Sequence, residues 1–381
     1  MPDAPTAPPL WPFLPEAPIE EVLEWRTDVL ASFAAEQRLA LRGVPRETLT
    51  FVHRLDGPGL AQATELARRR VGGDWLLPHW AMVQRPGTDL AAGEMTVPFV
   101  TSEADVRCPG FVALADEDRV VRLVELAATR PDGLDLAAPL DRALHDPLVA
   151  PVRRAVLAEP VRLDRRHRND GLVTARFVLH DPGDLAGLSP WPSHEGLDVL
   201  TDPSLTRTPL GETIGQAQVF IDSGLGPIAV EPALGFLQRR ATLAFRDLTA
   251  SARWRRRAWL HGLRGRQRAF WLPTWGRDLT LAGPASAGTT ALVVSGAGDP
   301  AEVVGRSLMI DRPAGPLFRR ITAAGLDALG LRLTIAAPGV PLPLGTPLHW
   351  LTRVRLDADR IDLRHMATRT EVSLPVIEVP A

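Results

Sequence analysis

The densest chemistry in the chain is a run of cations, Arg253-Trp254-Arg255-Arg256-Arg257, continued by Arg264, Arg266 and Arg268. Guanidinium groups at that density can solvate a helix face, fork onto carboxylates across an interface, or neutralise phosphates. A formal net charge of -2 argues against a general nucleic-acid footprint. The expectation is therefore an inter-subunit surface at Arg253, Arg255, Arg256 and Arg257, bonded to a neighbour's carboxylates. A shorter run, Arg68-Arg69-Arg70, sits earlier in the chain.

Other chemistry is sparse. The nine histidines are scattered, with no H-x-x-x-H pair and no carboxylate cluster at metal-ligand spacing, so no metal site is expected. Cys108 is the single cysteine, which excludes an intrachain disulfide and a thiolate cluster; it reads as a packed or turn residue. Gly296 and Gly298 follow a strand-like run, but a dinucleotide turn needs a long helix behind it, and Val303-Val304-Gly305 offers none. A Walker A loop needs Lys, and the chain has no Lys; no G-x-S-x-G elbow occurs either. No catalytic residue and no cofactor is expected, and the chain does not read as an enzyme.

Composition fits a globular protein, 45% hydrophobic and 23% charged. All 43 basic residues are Arg, Tyr is absent and Asn169 is the single Asn, a bias that GC-rich codon usage explains. Neither a secretory signal nor an apolar run long enough to span a membrane is present.

The elements that must position these residues repeat. Arg46-Glu-Thr-Leu-Thr-Phe51 matches Arg240-Ala-Thr-Leu-Ala-Phe245, and Leu77-Pro-His-Trp80 matches Leu272-Pro-Thr-Trp275. Gly110 with Asp116 matches Gly305 with Asp311, and Val161-Arg-Leu-Asp164 matches Val354-Arg-Leu-Asp357. All four offsets lie between 193 and 195 residues, which indicates a duplicated domain. Each copy reads as a strand-like opening (Ile19 to Ser32, weakly echoed by Leu210 to Ser223), the R-x-T-L-x-F strand, one helix, an L-P-x-W strand, then short strands split by Gly and Pro. The helices are expected near 58–70 and 246–263, the second with Leu248, Ala252, Trp259 and Leu263 on one face. Trp80 and Trp275 are expected at equivalent, buried positions closing sheet against helix, with Trp75 and Trp271 nearby.

Residues 1–18 are Pro-rich and read as an extended arm. Trp11 and Phe13 within it are costly to expose, so the arm is expected on a neighbouring subunit, as a further part of the interface. The predicted class is mainly β (α+β): a 1–18 arm, then two tandem homologous β-sandwich or tube-like domains at 19–187 and, with the linker, 188–381, each with one flanking α-helix.

The segment Leu260-His-Gly-Leu-Arg-Gly-Arg-Gln-Arg-Ala-Phe-Trp-Leu-Pro-Thr-Trp275, with Asp278-Leu279 after it, resembles the baseplate proteins of long-tailed, non-contractile phages, above all the distal tail proteins. So does Leu23-Glu-Trp-Arg-Thr-Asp28 with Glu36-Gln-Arg-Leu-Ala-Leu-Arg42. The resemblance implies a virion structural protein, assembled in the host cytoplasm, that forms a ring linking tail tube to baseplate. Its implied partners are further copies of itself, the tail tube protein, hub or tip proteins and the tape measure, with DNA only in transit through the lumen and no membrane. Two tube-like domains per chain allow six copies, the favoured count, or a trimeric hub with pseudo-sixfold symmetry. A host-surface module binding carbohydrate is the alternative from another class, and would need exposed aromatics in long loops.

Overall fold

Strands of alternating burial build most of this protein. In the segment Asp170–Leu179 every second side chain is buried from Gly171 onward, the period-two pattern of a strand with one covered face. The structure, a computed structural model, describes residues 8–380 apart from 70, 71, 182, 184, 186–188, 203–210, 277 and 297. Strand accounts for 51% and helix for 10%, so the class is mainly β, with antiparallel ladders throughout.

The first half contains β1 (Glu16–Ala31), β2 (Glu36–Asp56), α1 (Gly57–Arg69), β3 (Trp75–Pro78), β4 (Thr96–Pro98), β5 (Gly110–Ala115), β6 (Val121–Arg130), β7 (Gly133–Leu136), β8 (Leu148–Leu157), β9 (Arg162–His167) and β10 (Asp170–Leu179). A small hairpin, β11 (Ser193–His194) with β12 (Leu197–Asp198), leads onward. The second half contains β13 (Glu212–Gly215), β14 (Gln218–Ile221), β15 (Ala229–Pro232), β16 (Gln238–Asp247), α2 (Ala250–Leu263), β17 (Ala269–Pro273), β18 (Leu279–Leu281), β19 (Ala291–Gly296), α3 (Pro300–Val303), β20 (Ser307–Ile310), β21 (Leu317–Asp327), β22 (Gly330–Ile335), β23 (Pro347–Leu356), β24 (Arg360–His365) and β25 (Thr370–Glu378).

The ladders of the two halves correspond. In the first, β10 pairs with β2, β9 and β8; β8 pairs with β3 and β5; β6 and β7 continue to β4; and β1 lies on β2. In the second, β25 pairs with β16, β24 and β23; β23 pairs with β17 and β20; β21 and β22 continue to β19; and β13 lies on β16. The second half adds β18, which bridges β19 and β23. The halves meet edge to edge, because β24 also pairs with β1, antiparallel, from Ile19 opposite His365 to Glu24 opposite Arg360.

Three of the four sequence matches fall on corresponding elements, and one does not. Residues 161–164 lead into β9, whereas 354–357 close β23. By ladder position β9, Arg-Leu-Asp-Arg-Arg-His167, corresponds to β24, Arg-Ile-Asp-Leu-Arg-His365, at an offset of 198. The second half carries four more residues between the L-P-x-W strand and β23 (274–346) than the first carries before β8 (79–147), which shifts the offset and hides this closer match.

The helices start and stop where local chemistry dictates. Asp56 accepts from the Gly59 amide at 2.9 Å, and the Thr249 hydroxyl accepts from Ala252 at 3.1 Å, each satisfying an otherwise orphaned N–H. Helix α2 ends at Arg264, held in the left-handed region, with Gly265 behind it. It begins later than expected: Arg246 and Asp247 finish β16, and Leu248 is exposed. Its second part is buried all round, from Arg256 to Leu263, instead of along one stripe.

The Pro-rich arm needs the largest correction. Residues 1–7 lie outside the described residues, but Trp11 is 0% exposed and Phe13 is buried, both in the core of their own chain. Trp11 packs edge-on against Trp75, Phe13 and Phe177. Its backbone N–H donates to the Leu76 carbonyl at 2.9 Å, adding a parallel bridge beside β3. The same device recurs in the second half, where the Leu200 amide donates to the Trp271 carbonyl at 3.0 Å beside β17. Trp11 and Phe13 are therefore core residues and not an oligomer interface. Part of the expected linker, Val199 and Leu200, is core as well.

His53 anchors this segment. The indole N–H of Trp11 can only donate, so His53 Nε2 accepts it at 3.0 Å and Nδ1 carries the proton shared with the Leu14 carbonyl at 3.1 Å. Burial pushes the imidazole down to about 4, against the upward pull of the Leu14 bond. Its ordinary value is 6.5, so the unfolded chain takes up the proton first as pH falls. Stability from this neutral histidine is full above 6.5 and is lost progressively toward about 4. The expected loss is about 3 kcal/mol across that window. Denaturant midpoints of wild type and His53→Gln at pH 7 and pH 4.5 measure it: the difference between the two pH values should shrink in the variant. An unchanged difference would contradict the assignment.

Candidate functional site at the junction of the halves

Strand β1 has two roles. It belongs to the first half through β2, yet Leu23 and Trp25 on its inward phase sit in the core of the second half, with Trp259, Phe270 and Leu363. In the same phase, one step earlier, is Glu21. Glu47 likewise shares the buried phase of β2 with Leu49, Phe51 and His53. A carboxylate there must find a cation, because an unpaired buried charge costs several kcal/mol.

The cation is Arg257. Its guanidinium donates to Glu21 and reaches Glu47 Oε2 at 2.8 Å, spanning β1 and β2 from helix α2 of the other half. His365 on β24 shares a proton with the second Glu21 oxygen at 2.8 Å and with the Thr370 hydroxyl at 2.8 Å. His79 Nε2 lies 2.7 Å from Glu47 Oε1. Burial works to raise both carboxyls, but Arg257 with His365 holds Glu21 well below the usual carboxylate range, and Arg257 with His79 holds Glu47 low. Burial pushes His365 down, against the pull of Glu21, toward the neutral form.

Ligand atoms of Glu21, Glu47 and His79 lie within 4.8 Å of one another, close enough to hold a metal ion. Arg257 already bonds both carboxylates, however, and supplies the positive charge that a cation would bring. The arrangement works as an ion-paired lock between the halves.

The predicted arginine surface divides accordingly. Arg256 is 3% exposed and is held by Asp202 at 2.5 Å and Asp247 at 3.1 Å, with its guanidinium 3.8 Å from the centre of the Phe245 ring. Arg257 is in the lock. Arg253 is half-buried, with Glu103 of the first half among the charges acting on it. Arg255 is exposed and lies over the Trp191 ring. Arg256 and Arg257 form salt bridges, but with carboxylates of the same chain. Arg257 is corrected from an inter-subunit surface to the junction of the halves, and Arg256 to the interior of the second half.

Further contacts cross the same seam. Arg355 on β23 forks onto Glu36 of β2 at 2.7 and 2.9 Å, and Asp359 accepts from the Thr27 amide at 2.8 Å. The L-P-x-W pair is not equivalent in burial. Trp80 is buried in the first core, whereas Trp275 is half-buried, with a left-handed backbone, beside Trp271 and Met309. Cys108 is exposed.

No protein-family model matches this chain, and no curated protein matches it.

Proposed function

We propose that the chain is a structural subunit of a ring at the distal end of a non-contractile phage tail, acting by assembly and without catalysis. The observation that carries this reading is an uncovered apolar ridge. Helix-free residues 212–237 leave Ile214, Val219, Phe220, Ile221, Ile228, Val230 and Leu237 exposed, with Leu225 at 97%. The tip of the β1–β2 hairpin adds Leu30, Phe33, Leu39 and Leu41, and it meets this segment where the Gly235 amide donates to the Phe33 carbonyl at 2.6 Å. Exposed apolar side chains at this density in one segment mark a protein-protein contact. The correspondence of ladders between the halves supports the duplication reading, and with it a ring of like domains, from six copies or from three. The resemblance of 260–275 to distal tail proteins supplies the location. The carbohydrate alternative keeps two exposed aromatics, Phe33 and Phe220, but among the described residues no Trp is exposed, and both Phe side chains stand among exposed aliphatic ones.

Electron-microscopic class averages of the purified protein test this. An annulus is expected for the full chain, and dispersed single particles for a variant with 216–234 replaced by a short Gly-Ser link. An intact annulus in that variant would remove the ridge from the argument.

A further inference from the structure

The edge-to-edge joint inside the chain has open equivalents on both flanks. β24 of the second half takes β1 of the first as its neighbour. The corresponding strands are β9, which pairs only with β10 among the described residues, and β13, which pairs only with β16. Both have one free edge and an exposed face: all four β13 residues are exposed, and in β9 all but Leu163 are. A free, regular edge is a ready template for another strand.

Three observations say what covers β9. Its sequence, Arg-Leu-Asp-Arg-Arg-His167, repeats the Arg-Ile-Asp-Leu-Arg-His365 of the strand that already accepts a neighbour. β13 is seated on β16 as β1 is seated on β2: Thr213 lies opposite Arg240 and Glu24 opposite Arg46, the two arginines being matched positions of the repeat. Charge also agrees. β9 carries Arg162, Arg165 and Arg166 with one acid, whereas β13 carries Glu212, ion-paired with Arg239 of its own chain, and the segment after it to 237 carries Asp222 and Glu231 with no basic residue.

We infer that β13 of one copy pairs antiparallel with β9 of the next, repeating between chains the β1–β24 ladder found within the chain. The inference rests on the ring reading and names one contact within its interface, adjoining the exposed apolar segment 216–237. The register follows from the internal one. Glu24 lies opposite Arg360 and Leu23 opposite Ile361, so Thr213 lies opposite Arg162 and Glu212 opposite Leu163 of the neighbouring copy. The contact is heterologous, using two different edges, so it propagates until a ring closes. It also lacks the ion-paired lock: the positions of Glu47 and His79 are Ala241 and Thr274 in the second half. The internal joint is thereby permanent, and the external one can be made and unmade during assembly.

Register-specific cross-linking tests this. In a Cys108→Ser background, Thr213→Cys with Arg162→Cys places two thiols directly opposite, close enough for a disulfide after small adjustment. All three substituted side chains are exposed, so folding is retained and circular dichroism verifies it. Mild oxidation should give covalent multiples of 41.4 kDa on a non-reducing gel. Thr213→Cys with Arg166→Cys, four residues out of register, should give at least tenfold less. Equal cross-linking in both overturns the inference. Absence of cross-links in a protein whose native mass is still multimeric overturns it too, and leaves the ring reading standing. A monomeric native mass removes both.

Discussion

Arg257→Met is expected to lower folding stability by about 3–5 kcal/mol, the cost of leaving a buried ion pair with one partner missing. Glu21 and Glu47 are each 1% exposed, and the guanidinium is the cation they share. Met fills much of the volume but offers no donor. Typical domains are stable by about 5–15 kcal/mol, so the variant should fold poorly or melt far earlier. The triple variant Arg257→Met, Glu21→Gln, Glu47→Gln should recover a large part of the loss, because neutral amides tolerate burial better than unpaired carboxylates. Denaturant midpoints of the two variants decide. A loss below about 1 kcal/mol in Arg257→Met would show that the lock does not hold the halves together.

Trp11→Ala is expected to cost about 3–5 kcal/mol of the folding stability of each chain. The ring is wholly buried among Trp75, Phe13 and Phe177, and its N–H satisfies His53. The effect should not depend on protein concentration, since every contact is within one chain. An interface residue would behave differently: stability of the isolated chain would be kept and association would weaken. Unfolding followed at two well-separated concentrations distinguishes the outcomes, and a normal midpoint for the variant chain would contradict core placement.

Much of the fold is legible because its signals are local. β-branched and aliphatic runs at 292–295, 307–310 and 331–336 form β19, β20 and β22, and the R-x-T-L-x-F alternation forms β2 and β16; the Thr249 cap, inside the expected span 246–263, sets the later start of α2. The lock is not legible in the sequence, because its members come from β1, β2, the turn after β3, α2 and β24, and none is unusual alone. A signal did exist. Glu21 stands in phase with Ile19, Leu23 and Trp25, and Glu47 in phase with Leu49 and Phe51. An acid on the apolar phase of a strand asks for a buried cation, and the arginine run supplies it.

The burial of the arm is hidden in the sequence for a different reason. Proline removes backbone donors, so Pro9 and Pro12 suggested a segment without partners, but their neighbours still donate and accept: the Pro9 carbonyl takes the Leu76 amide at 2.8 Å. The corresponding second-half segment, Val199-Leu200, shares no identical residue with Leu10-Trp11, so sequence matching starts only at β2 and β16. What the two segments share is a backbone role, which sequence comparison does not see.

Native mass spectrometry of the purified full-length chain tests the central claim most directly. Ring assembly from like halves predicts one closed species at six times 41.4 kDa, or at three times that mass if each chain supplies two of six equivalent positions. A single species at 41.4 kDa, unchanged as concentration rises, would contradict the account.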